Sequence, residues 1–236
     1  MLSRPPFGSG DGGTRDREYN ADFSQRIVIR PGDGGWSETG MPGIRYKLLE
    51  ACCKPYPRRT LILDCLPGTV MDSGDIQLET EFLVLHGEVT DDSGTYPAGT
   101  YVRNPVGTRH ANSETGCRLF VKLSQIHEED QGHRIIDTCN NSNWLPGPSE
   151  HTRVFPLHVW DTESVILLRW DEDDSIKPAL DPQGEEIFVV SGELRDSEGS
   201  YPQHSWIRNP AEAWQQWSAS GGTVIYYKTG HFPDDV

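Results

Sequence analysis

Positive charge is scarce in this chain. Lys and Arg number 21 against 36 Asp and Glu in 236 residues, for a formal net charge of −15. Such a surface repels phosphate backbones and anionic headgroups, which disfavours nucleic acid and membranes as partners. Long apolar runs are also missing. No stretch approaches the ~20 residues of a membrane span, and the opening MLSRPPFGSGDGGTRDREYN lacks the apolar segment of a secretory signal. A cytoplasmic location is expected. Cysteine is sparse, five in all, with Cys52 and Cys53 adjacent. An odd count with no Cys-x-x-Cys pair argues against a disulfide framework, a zinc ribbon or thioredoxin-type chemistry. Cys65 and Cys117 fall in strand-like runs and read as small buried apolar residues. No window of helical length carries a 3.6-residue apolar period.

Turn formers are abundant instead, with 24 Gly and 17 Pro, and the chain repeats itself. Glu81–Pro105, EFLVLHGEVTDDSGTYPAGTYVRNP, aligns without a gap on Glu186–Pro210, EIFVVSGELRDSEGSYPQHSWIRNP, with 11 of 25 positions identical. Each copy alternates short β-rich runs with hairpin-like turns at Asp91–Gly94 and Asp196–Gly199. Many short strands and no long helix predict an all-β chain, one jelly roll or β-sandwich per copy. The expected layout is a solvated tail over 1–20, a first domain over 21–123, a connection over 124–150 and a second domain over 151–236. Tyr96 and Tyr201 should occupy equivalent places.

The run Tyr96-Pro-Ala-Gly-Thr-Tyr-Val-Arg-Asn-Pro-Val-Gly-Thr-Arg-His110, with Glu114-Thr-Gly-Cys-Arg-Leu-Phe-Val-Lys122, resembles the ChrR-type cupin domain. That domain occurs in zinc-dependent anti-sigma factors and in related dioxygenases of ketones. Asn20–Gln25 is similar to the start of such a domain, and Gly184–Gly192 with Tyr226–His231 fit the same pattern in the second copy. The resemblance covers about residues 20–232 and implies a tandem bicupin of RmlC-like jelly rolls. It further implies a metal held by two His on one strand, a Glu and a distant His, a donor set suited to zinc or iron(II).

Carried onto this chain, those positions are mostly altered. In the first copy the two His fall on Gly74 and Ile76, the Glu on Thr80, and the distant His on His110. In the second they fall on Ala179, Asp181, Glu185 and Gln215. A lone imidazole holds zinc or iron poorly, so the metal sites read as eroded, with zinc or iron in the first copy as the minority reading. His110, expected inside the first barrel, can bind a ligand, act as an acid or base, or persist as a hydrogen-bonded remnant. Glu185 would be a carboxylate in an apolar barrel, paired with Lys177 or water. Arg103 and Arg208 suggest contacts to an anionic ligand or salt bridges to Glu88 and Glu193. Asn104 and Asn209 precede prolines and read as turn chemistry. Trp206, Trp214 and Trp217 read as filling the space of the lost metal.

The first functional expectation is therefore a non-catalytic or regulatory protein that binds a small molecule in a cupin barrel, or a protein partner. The ligand-binding candidates are His110, Thr80, Glu185, Asp181 and Gln215. A metal-dependent dioxygenase acting on a ketone or diketone is one alternative. Another is an anti-sigma-like regulator without the N-terminal zinc-binding part, since the opening residues hold no His or Cys. Cupins often pair through sheet edges, so a homodimer accords with the resemblance.

Overall fold

Strands account for nearly all regular structure in the computed structural model, which describes residues 18–52, 58–72, 79–105, 107, 110–177, 184–211 and 215–232. Among these the sole helical element is a 3₁₀ turn at Asn141–Asn143, and no helix is long and apolar enough to cross a membrane. Two compact units form: Met1–Ala21 with Gly34–Cys139, and Asp22–Asp33 with Asn140–Val236.

The first unit's larger sheet runs Arg134–Asp137, Thr100–Asn104, Thr80–Asp91, Cys117–Leu123, Arg58–Cys65, Ile44–Cys52 and Ser37–Glu38. A smaller sheet is made where Thr69–Asp72 pairs with His110–Ser113, and where the far end of Thr80–Asp91 pairs with Gly94–Pro97. The second unit repeats the order: Ile27–Ile29, Trp206–Asn209, Glu185–Ser191, Val224–Thr229, Glu163–Trp170, Thr152–Trp160 and Leu145–Pro146. Its smaller sheet runs Asp174–Ile176, Trp217–Ala219, Glu193–Asp196 and Gly199–Pro202. Every pairing among the described residues is antiparallel, as a jelly roll requires.

Side-chain alternation divides each large sheet into two faces. In the first unit Val84, Val102, Leu119 and Val121 point into the core beside Tyr96. In the second, Ile187, Val189, Ile207 and Ile225 do so beside Tyr201 and Trp217. Tyr96 and Tyr201 are equivalent in detail. Each donates its hydroxyl to a turn aspartate at 2.7 Å, Asp91 and Asp196 respectively. Each aspartate also accepts backbone amides of its own turn. The glycine shared by the copies is dictated by close approach. Gly87 has φ +70 and an added Cβ would sit 1.9 Å from the Gly116 oxygen; at Gly192, φ +77, it would sit 2.4 Å from Thr223 Oγ1.

The stretch expected as a connection is largely structured. Arg134–Asp137 adds an edge strand to the first unit, through Arg134 opposite Arg103. Leu145–Pro146 pairs with Arg153 and Val154 in the second. The matching edge strand of the second unit comes from the chain's beginning, with Ile27 opposite Arg208. Each copy thus sends its leading strand to the other. The opposite faces bury charge: Arg103 pairs with Glu81 and Asp130, and Lys228 with Glu163. Arg103 therefore bonds Glu81 rather than Glu88, because Glu81 is its direct cross-strand partner. Arg208 donates to the Asp22 carbonyl at 2.7 Å and lies over the Phe23 ring, which anchors the incoming strand.

Candidate functional site

Glu185, Asn209 and Tyr227 lie at one end of the second unit's inner face, in register with the core residues Ile187, Ile207 and Ile225. Tyr227 Oη donates to Glu185 Oε2 at 2.6 Å, and Asn209 Nδ2 donates to Oε1 at 2.6 Å. Both carboxylate oxygens are satisfied, and neither partner is Lys177. Burial pushes the Glu185 pKa up, against the hydrogen bonds from Tyr227 and Asn209 and a weaker pull from Arg26.

The cation beside this carboxylate comes from the leading strand. Arg26, one residue before Ile27, donates through Nε to Asn209 Oδ1 at 2.9 Å and through a terminal nitrogen to Tyr201 Oη at 2.9 Å. It forms ion pairs with Asp196 and Glu198. Its side chain is 14% exposed and that of Asp196 is 0%. Burial disfavours the guanidinium charge, yet Asp196, Tyr201 and Glu198 hold its pKa above the ordinary value. A continuous polar chain results: Tyr227, Glu185, Asn209, Arg26, then Asp196 and Tyr201. Sequence reasoning missed Arg26 and Tyr227, and Asn209 is a fully buried bridge rather than a turn residue.

The other candidates scatter. His110 is corrected from an interior to an outward position. Its side chain is 60% exposed, with Nδ1 3.4 Å from Asp72 Oδ1 on the paired strand. Alternation is the reason: the neighbouring Ala111 packs on the core, which turns His110 away. His110 instead borders a cleft of about 420 Å³ with Val70, Asp91, Asp92, Asn112 and Glu114. Thr80 stands opposite Asn104, as Glu185 does opposite Asn209, and its hydroxyl has no partner among the described residues. Gln215 donates to Glu198 at 3.3 Å. Trp217 fills the core, whereas Trp206 faces the opposite way and donates to Glu186 at 2.7 Å. Gly74, Ile76, Ala179, Asp181 and Trp214 lie outside the described residues.

These residues do not fit the metal that the resemblance implies. Among the described residues no three His, Cys, Asp or Glu side chains gather as ligands. Both Glu185 oxygens already accept hydrogen bonds, and the charge that acts on it is that of Arg26.

Two antiparallel jelly rolls of one strand order, with a polar cluster at a barrel end, define a tandem cupin. The description of the ChrR cupin-like domain matches residues 24–127 and again 132–233, and the chain belongs to that family. The first match opens just ahead of Ile27–Ile29, a strand of the second unit's sheet, and the second just ahead of Arg134–Asp137, a strand of the first unit's sheet. Solved structures share the fold. A protein named as glyoxylate-induced from Pseudomonas aeruginosa has TM-score 0.70 and 14% identity, over 99% of this chain and 97% of that one. The E. coli protein YlbA has TM-score 0.66 and 12% identity, over 94% and 97%. A protein named as a dioxygenase from Nostoc punctiforme has TM-score 0.64 and 14% identity, over 99% and 88%. No curated protein matches.

Proposed function

We propose that this bicupin is a non-catalytic or regulatory binding protein whose second barrel carries its own cation in place of a metal. The observation that supports it is the Arg26 guanidinium, bonded to Asn209 and paired with Asp196, beside a Glu185 already satisfied by Tyr227 and Asn209. A charge held this way needs no exchangeable ion, and arginine's fixed fork of donors suits it to buried carboxylates. The ligand surface falls to the first unit's cleft, where His110 stands among Asp91, Asp92 and Glu114. That charge favours a neutral or cationic small molecule or partner segment over an anion.

Elemental analysis tests the reading. The full chain is incubated with zinc, iron(II), nickel or manganese, dialysed and assayed, alongside Glu185→Gln. No stoichiometric metal is expected in either protein. One metal per chain in the wild type, lost in Glu185→Gln, would overturn the proposal in favour of a metal-dependent enzyme.

A further inference from the structure

Three sulfur-bearing residues, Cys65, Cys117 and Met71, share the core of the first unit, apart from the site above. Cys65 and Cys117 are direct partners across an antiparallel strand pair, each 5% exposed. Directly opposed residues on one face of an antiparallel pair set their Cβ atoms about 4.5–5.5 Å apart, and both cysteines face the same core. Cys65 Sγ also lies 3.9 Å from Met71 Sδ. Met71 is half-buried, at the edge of the same core.

We infer that Cys65, Cys117 and Met71 form a binding site for cuprous copper. Two thiolates and a thioether are soft donors, which select Cu(I) over hard cations. Metal–sulfur bonds of about 2.3 Å in a trigonal plane set sulfurs about 4 Å apart, so Cys65 and Met71 already stand at the separation of two ligands on one ion. Zinc wants four ligands, and this core offers three sulfur donors. Binding forms two thiolate–copper bonds and one thioether–copper bond. It breaks two S–H bonds, releases both protons to water and leaves copper monovalent. Entry is from the cleft, whose lining includes Thr69, Val70 and Ser113; Val70 adjoins Met71.

Anaerobic titration of the reduced full chain with a Cu(I)–acetonitrile salt, against a chromogenic Cu(I) chelator, tests this. A background of Cys52→Ser, Cys53→Ser and Cys139→Ser removes the other thiols. One copper per chain is expected to resist the chelator. Cys117→Ser and Cys65→Ala should abolish retention. Met71→Leu, a volume-conserving exchange that leaves the fold intact, should weaken it about tenfold or more. Failure to retain copper would overturn the site, as would equal retention by Met71→Leu. Opposed cysteines can also satisfy disulfide geometry. A chain recovered two hydrogens lighter from the reduced titration, and free of copper, would assign the pair to a disulfide and overturn the proposal too.

Discussion

At the matched barrel ends, the first unit has Thr80 opposite Asn104 and the second has Glu185 opposite Asn209. Strand order, turn aspartate and buried tyrosine are otherwise the same in both. One carboxylate more is matched by one cation more. Arg26 precedes the second unit's edge strand, where the first unit's edge strand is preceded by the exposed His133. Asp196, capped by Arg26, is sealed, while its counterpart Asp91 borders a cleft. The comparison teaches that a fold can lose a ligand set in two ways: by deleting the charge, or by keeping it and pairing it internally.

The largest effect should come from removing that cation. Arg26→Ala leaves Asp196 and Glu185 without their guanidinium and should cost the second unit about 3–5 kcal/mol, measured by denaturant unfolding. His133→Ala should cost the first unit almost nothing. Equal losses would break the contrast.

Tyrosine hydroxyls come next. Tyr96→Phe removes one hydrogen bond to the Asp91 carboxylate and should cost about 1.5 kcal/mol, the low end for a bond to a charged group because Asp91 borders the cleft. Tyr201→Phe removes two bonds to charged groups, to the buried Asp196 and from Arg26, and should cost about 3 kcal/mol or more. Burial and Asp91 push the Tyr96 pKa up to about 12, so its proton is retained across the neutral range. Equal costs would place Arg26 outside the network.

A smaller effect sharpens the role of Glu185. Its pKa is raised in the fold, because burial penalises the charged form more than its hydrogen bonds relieve it. The stability it contributes is complete below the ordinary glutamate range and declines as pH rises through the raised value. Glu185→Gln removes that dependence. The difference between variant and wild type should therefore shift toward the variant as pH increases, in unfolding measured from pH 4 to 8. A shift toward the wild type would show the carboxylate to be stabilised as the anion. Smallest of all, exposed His110→Ala should change stability by no more than about 0.5 kcal/mol.

Much of the architecture is legible in the residues. Gly87 and Gly192 mark strand corners that no other residue fits, and Asp91 and Asp196 mark turns that accept their own backbone amides. These are local constraints, so they repeat with the sequence. The site was less legible. Arg26 meets Asp196 across 170 residues and Asn209 across 183. Only the crossing of the leading strand into the other copy's sheet brings them together. Its sole trace is a short apolar run, Ile27-Val-Ile29, echoed by Ile135-Ile136. His110 misled because its motif is intact while the facing of its strand is set by Ala111. Asn209 looked like turn chemistry because proline follows it, yet its amide spans a carboxylate and a guanidinium.

A double-mutant cycle on Arg26 and Asp196, using Arg26→Met and Asp196→Asn with stability read by denaturant unfolding, tests the internal cation most directly. A coupling above about 1.5 kcal/mol is predicted for a buried pair acting as one unit. Losses that add to within about 0.5 kcal/mol would contradict it.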